Sequence, residues 1–161
     1  MRVFTIGTDH RKQFDFTRIL WKFGVQVVFD VRRTPESQED YFRRDGLQAT
    51  CATQGMDYVY LGNELGGPVR EDLRSWIASD EFKRGLSIIR NKASKRVCCI
   101  LCAERLPEHC HRRHIAELLA KDGIEVVHIL DENEVLNQRP SAPRPPAAGG
   151  HDRNARRGSK Q

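Results

Sequence analysis

The chain has 161 residues, of which 39% are hydrophobic and 30% charged, with a net charge of +5; this length suits one domain with a real core, and the apolar runs are too short to span a membrane. From Arg139 onward six basic side chains (Arg139, Arg144, Arg153, Arg156, Arg157, Lys160) meet one acid, Asp152, so the tail accounts for the whole +5 and the first 138 residues balance at zero. The basic balance therefore makes no case for a polyanion bound across the domain, and nonspecific nucleic-acid contact is expected only through the tail.

Taken in chain order, Val3-Phe4-Thr5-Ile6 reads as a short buried strand ending at Gly7-Thr8. It begins almost at the first residue, with no charged leader and long apolar segment before it, so no secretory signal is expected. Phe16, Ile19, Leu20 and Phe23 follow at helical spacing, closed by Gly24. Val25 to Val31 is a second strand, carrying Asp30 and Arg32 at its C-terminal end. Tyr41 to Thr53 is a weaker helix, with Gly46 counting against it. Tyr58 to Leu61 is a third strand, emptying into the turn-rich loop Gly62-Asn63-Glu64-Leu65-Gly66-Gly67-Pro68.

Two helices are expected next, a short one on Leu73, Trp76 and Ile77 and a longer one on Phe82, Leu86, Ile89 and Ala93. Val97 to Leu101 is the fourth strand, Pro107 to Asp122 a helix, and Glu125 to Leu130 the fifth strand. Beyond Gln138 the residues are Pro, Ala, Gly and Arg without an apolar period, which reads as a disordered basic tail, 139–161, after an α/β domain, 1–138. Five cysteines, three of them within Cys98 to Cys102, point to free thiols in a reducing compartment and to a cytoplasmic protein.

Strands alternating with helices predict a single-domain, doubly wound, mostly parallel sheet of about five strands, covered by helices on both faces. Ligands of such sheets bind beyond the C-terminal strand ends. Four polar segments collect there: Gly7-Thr8, Asp30-Arg32-Arg33, Asn63-Glu64-Gly66-Gly67 and Cys102-Glu104.

Those segments carry a resemblance. Thr5-Ile6-Gly7, then Asp30-Val31-Arg32 with Pro35 and Ser37, then Tyr58 before Leu65-Gly66-Gly67, then Cys102-x-Glu104 and Cys110-His111-Arg112, and finally a strand with His128, together resemble the family called domain of unknown function 488. The likeness covers roughly residues 3 to 130. It implies one α/β domain and a role for the matched residues, and it implies no substrate.

The residues themselves leave several chemistries open. Cys102, at a strand end facing a helix start, has the setting of a nucleophile. The layout is similar to that of rhodaneses and cysteine phosphatases, but a Cys-x5-Arg cradle would need Arg where Glu108 stands. The plainer reading is one more small buried side chain after Cys98 and Cys99. Asp30 and Glu104 are paired carboxylates for acid–base or nucleophilic work, or else partners of Arg32 and Arg112 in ion pairs that tie loops together. Arg32, Arg33 and Arg112, with Gly66, Gly67 and His111, form a candidate anion site.

The alternative is a zinc or iron site on Cys102, Cys110, His111 and His114, in which Cys110 and His114 share a helix face at i, i+4; against it, His111 lies on the stripe of Ile115 and Leu119 and would instead hydrogen-bond to the sheet. Apart from that metal no cofactor is expected. The Cys99 to Cys102 spacing lies within a strand, where the two point to opposite faces, which excludes a thioredoxin-type dithiol. No Gly-x-Gly-x-x-Gly follows the first strand, which disfavours dinucleotide redox chemistry. The leading expectation is a hydrolase or group transferase acting on an anionic, nucleotide-like small molecule. Its rivals are a nucleotide or nucleic-acid binding module and a domain with a structural metal.

Overall fold

A computed structural model describes residues 1–68 and 71–138. Its strands are β1 (Arg2–Gly7), β2 (Val27–Asp30), β3 (Asp57–Tyr60), β4 (Cys98–Cys102), β5 (Glu125–Asp131) and β6 (Glu134–Asn137). Its helices are α1 (Gln13–Lys22), α2 (Arg44–Thr53), α3 (Gly62–Leu65), α4 (Leu73–Ala78), α5 (Asp80–Ala93) and α6 (Arg112–Lys121). The tail from Arg139, read from the sequence as disordered, lies outside the described residues. Among those described, no helix is long and apolar enough to cross a membrane.

The strands form one sheet in the order β3-β2-β4-β1-β5-β6, parallel except for β6. Runs such as Val27-Val28-Phe29 and Cys98-Cys99-Ile100-Leu101 are buried on both sides, as a helix-covered parallel sheet requires. One face sets Phe4, Ile6, Val28, Cys99 and Leu101 against Phe16, Ile19 and Leu20 of α1 and Leu47 and Cys51 of α2. The other sets Val3, Phe29, Cys98, Ile100 and Cys102 against Trp76, Phe82, Ile89, Ile115 and Leu119 of α4, α5 and α6. From β1 the chain steps to β2 and β3 in one direction, then returns through β4 to β5. Crossovers are right-handed, so this reversal is what splits the helices between the two faces.

The sixth strand is an addition to the expected five. Val135 and Leu136 are 44% and 47% exposed, so β6 has no buried stripe for a sequence pattern to reveal. A second difference lies before α6. The expected helix from Pro107 is a 3-10 turn, Pro107–His109, followed by Cys110 in an extended conformation at φ −132°, ψ 145°, and the helix begins only at Arg112. This break decides the geometry of the site.

Across β1, β5 and β6 runs a buried polar relay. His128 donates from Nε2 to Gln138 Oε1 at 3.0 Å and accepts at Nδ1 from the Thr5 hydroxyl at 2.7 Å. Burial pushes its pKa down, so the ring folds neutral. The unfolded chain protonates His128 near the ordinary value of about 6.5 and the folded one only lower, so stability is complete above that pH and declines below it. The urea midpoint followed by circular dichroism is expected to fall from pH 7.5 to 5.5, and His128→Asn to flatten that dependence. An equally steep fall in the variant would assign it to other groups.

Candidate functional site

Because the exit of β4 leads to the opposite face from the exits of its neighbours β1 and β2, a crevice opens on each side of its C-terminal end. The β1 side is closed by backbone. Thr8 N–H donates to Cys102 O and Asp9 N–H to Ala103 O, both at 2.9 Å. Gly7 lies so close that a Cβ there would sit 2.0 Å from Glu104 O. The β2 side stays open as a cavity of about 290 Å3, lined by Arg32, Arg33, Thr34, Glu36, Cys102, Ala103, Glu104, His109, Cys110 and His111. It adjoins, through Glu36 and Ala103, a second cavity of about 550 Å3 that runs along Thr8 to Lys12. A depression of similar size between α1 and α2 carries no cysteine, histidine or basic group.

At the cavity wall three side chains converge. The ligating atoms of Cys102, Cys110 and His111 all lie within 4.8 Å of one another. His111 donates from Nε2 to Val31 O at 3.0 Å. A carbonyl oxygen only accepts, so Nε2 carries a proton there and Nδ1 is the nitrogen left for the sulfurs. Nδ1 faces both of them, 3.9 Å from Cys102 Sγ and 3.9 Å from Cys110 Sγ. The expected hydrogen bond of His111 to the sheet and its place beside the cysteines are therefore two ends of one ring. Trp76 of α4 stands edge-on behind it, with ring centroids 6.2 Å apart.

The two thiols are made unequal by their neighbours. Cys110 is pulled down, first by the hydrogen bond from Cys102, then by His111 and the Arg112 N–H, against the opposing effect of burial; that N–H reaches the Cys110 sulfur at 3.5 Å. Cys102 is pushed up, first by donating to Cys110 and then by burial. The sequence offered Cys102 as a nucleophile; in the structure the start of α6 meets Cys110 through the Arg112 N–H, and Cys102 stands behind it as a hydrogen-bond donor.

Other expected site residues are engaged elsewhere. Asp30, with no exposed side chain, accepts from Arg32 Nε at 2.9 Å and Nη2 at 2.7 Å, from the Arg32 N–H at 3.1 Å and from the Tyr58 hydroxyl at 2.7 Å. Arg32 Nη1 donates to Phe42 O. Of the two readings of this pair, the tie between loops describes its geometry. Tyr58, named in the sequence only for the family resemblance, is a further member of the network. Its position beside Val28, one step along the Asp30 face, was the available signal.

Arg112 differs most from expectation. It is fully buried, and its guanidinium donates to the carbonyl oxygens of Glu104 and Arg105, so it pins the loop instead of facing a ligand. Gly66 and Gly67 lie against other parts of the chain. A Cβ on Gly66 would meet Arg33 Cα at 2.8 Å, and Gly67, at φ +91°, packs against the His111 ring. His114 turns to Glu117, 3.7 Å away, and stands apart from the cluster because Cys110 is not on the helix with it. Glu104 lines the cavity with an exposed carboxylate, near Arg33, whose Nη2 donates to Gly67 O, and near His109, which sequence reasoning did not single out.

A family model described as "Domain of unknown function DUF488" matches residues 13–119, a span that holds all three members of the cluster. No curated protein and no solved structure matches the chain.

Proposed function

The chain belongs to the domain of unknown function DUF488 family, and on that premise we propose that it is a small enzyme, a hydrolase or group transferase, whose chemistry is done by Cys102, Cys110 and His111 with Glu104 beside them. One observation carries the reading: a histidine Nδ1 set 3.9 Å from each of two sulfurs, in the wall of a cavity at the C-terminal strand ends. A fold gains no stability from an outward-opening cluster of this kind that a few apolar side chains would not supply better.

The substrate is small and polar. A cavity of about 290 Å3 lies at the lower end of the range for ligand pockets. Among the described residues no ion pair engages Arg33, Glu36 or Glu104 of its lining, and one basic side chain against two acidic ones suits at most one anionic group and disfavours a polyphosphate. The adjoining cavity along Thr8 to Lys12 provides room for the rest of a nucleotide-sized molecule.

The test is turnover of a panel of nucleoside monophosphates, phosphorylated sugars and small carboxylates, read by mass spectrometry. At least one compound is expected to be converted, with a loss of about 10²–10⁴-fold in Cys110→Ala and in His111→Ala. Conversion unchanged in both variants would overturn the assignment. Binding without conversion would make the domain a binding module.

A further inference from the structure

We propose that Cys102, Cys110 and His111 are the three protein ligands of one divalent cation of the zinc class, and that its fourth position opens to the cavity lined by Glu104. This rests on the reading of the cluster as the reactive centre and states what that centre holds.

The distances fit. Tetrahedral zinc with Zn–S about 2.3 Å and Zn–N about 2.0 Å requires sulfur and nitrogen about 3.6 Å apart and two sulfurs about 3.8 Å apart. Both S···N separations are 3.9 Å and all three atoms lie within 4.8 Å, so closing on an ion takes shifts of a few tenths of an ångström up to about 1 Å. The donor set fits as well. Two thiolates and an imidazole select zinc over magnesium or calcium. His111 also has the outer partner that metal-bound histidines use, because its Nε2–H is held by Val31 O at 3.0 Å and the ring can turn only by losing that bond.

The site is of the open kind. Structural zinc is closed by four protein ligands, while catalytic zinc keeps a position for water or substrate. Among the described residues the group of possible ligands stops at three, with His114 directed at Glu117. All three line the cavity, together with Glu104.

Glu104 is held with unusual firmness for an exposed side chain. Its carbonyl takes the Arg112 guanidinium and packs on Gly7, while Ala103 O, one residue earlier, takes Asp9 N–H. Among the described residues no hydrogen bond or ion pair engages its carboxylate. A fully buried arginine and an obligatory glycine thus fix the backbone of a carboxylate that does no structural work. With water at the open position, Glu104 takes one proton as the oxygen attacks the electrophilic atom. It returns that proton to the leaving group as the bond to it breaks. One water is consumed, and no oxidant or reductant is needed.

The experiment uses the full chain purified without chelator. Elemental analysis is expected to find about one zinc per chain. Cobalt(II) added to the chelator-stripped protein is expected to give a thiolate-to-metal charge-transfer band that saturates at one equivalent. In a Trp21→Phe background Trp76 is the only tryptophan, and its fluorescence, next to His111, should change with the same saturation point, while a thermal melt checks folding. Cys110→Ala is expected to lose the metal, and Glu104→Gln to keep it while turnover of the panel compound falls about 10²–10⁴-fold. A folded wild type that holds no zinc and gives no cobalt–thiolate band overturns the metal site. If Cys110→Ala still removes turnover in that case, the cluster acts through its thiols and imidazole, and the reading beneath survives. If metal binds but neither variant alters turnover, it is the reading of the reactive centre that fails.

Discussion

Asp30→Ala is expected to lower the unfolding free energy by about 3–5 kcal/mol. The carboxylate receives three bonds from Arg32 and one from Tyr58, and both charges are withdrawn from water, with side chains 0% and 4% exposed. Removing Asp30 leaves the Arg32 guanidinium buried with only Phe42 O to accept from it. The cost is that of an unpaired buried charge, not of the lost bonds alone. The double variant Asp30→Ala with Arg32→Met is therefore expected to be more stable than Asp30→Ala, while Tyr58→Phe should cost only about 1–2 kcal/mol. Urea denaturation of the four proteins checks the order. If Asp30 were instead a catalytic base with a minor structural part, Asp30→Ala would keep its stability and lose only turnover.

A large effect is also expected of Gly7→Ala. The added methyl would fall 2.0 Å from the carbonyl oxygen of Glu104 and 2.8 Å from Arg105 Cα. Backbone cannot swing away as the end of a side chain can, so the cost should reach or exceed the upper end of the usual 1–3 kcal/mol for overpacking. The strain falls on the loop that carries Glu104. The expected outcome is a lower melting temperature, together with a loss of turnover larger than the loss of metal, since the clash falls on Glu104 and Arg105 while Cys110 and His111 are tied to other elements. Gly24→Ala makes the control. It stands at positive φ, +66°, and no atom lies within 4 Å of the new Cβ, so it should cost about 1 kcal/mol and leave turnover alone.

The alternation of the fold was legible because a parallel sheet buries both faces and writes its strands as unbroken apolar runs. Val27-Val28-Phe29 and Cys98 to Leu101 are such runs, and the helices between them carry one apolar stripe each. The chain stop at Gly24 was legible for a local reason as well, since the residue stands at positive φ. What escaped was set by non-local packing. Pro107 is equally at home at the start of an α-helix or of a 3-10 turn, and only the position of the loop against β1 selects the turn. With that turn, Cys110 leaves the helix, His114 leaves the cluster, and the i, i+4 argument for the pair fails. Arg112 reads from its charge as a ligand for anions. Its burial beneath the carbonyls of Glu104 and Arg105 depends on a loop path that no spacing records. Asp30 and Glu104 were paired in the sequence as equals, yet one is buried with four bonds and the other exposed on a clamped backbone.

The candidate site was legible as a place before it was legible as a chemistry. Strand-end polar residues predicted the crevice, and the crevice lies beside β4. Which side of β4 stays open follows from Gly7, whose missing side chain lets β1 close on Glu104 and leaves the β2 side free.

The most direct test of the account is the X-ray absorption spectrum at the zinc edge of the zinc-loaded full chain. Two sulfur neighbours at about 2.3 Å and two lighter neighbours, nitrogen or oxygen, at about 2.0 Å are predicted, and Cys110→Ala is expected to retain too little zinc to give that spectrum. A shell of nitrogen and oxygen alone, with no sulfur in the wild-type spectrum, would contradict it.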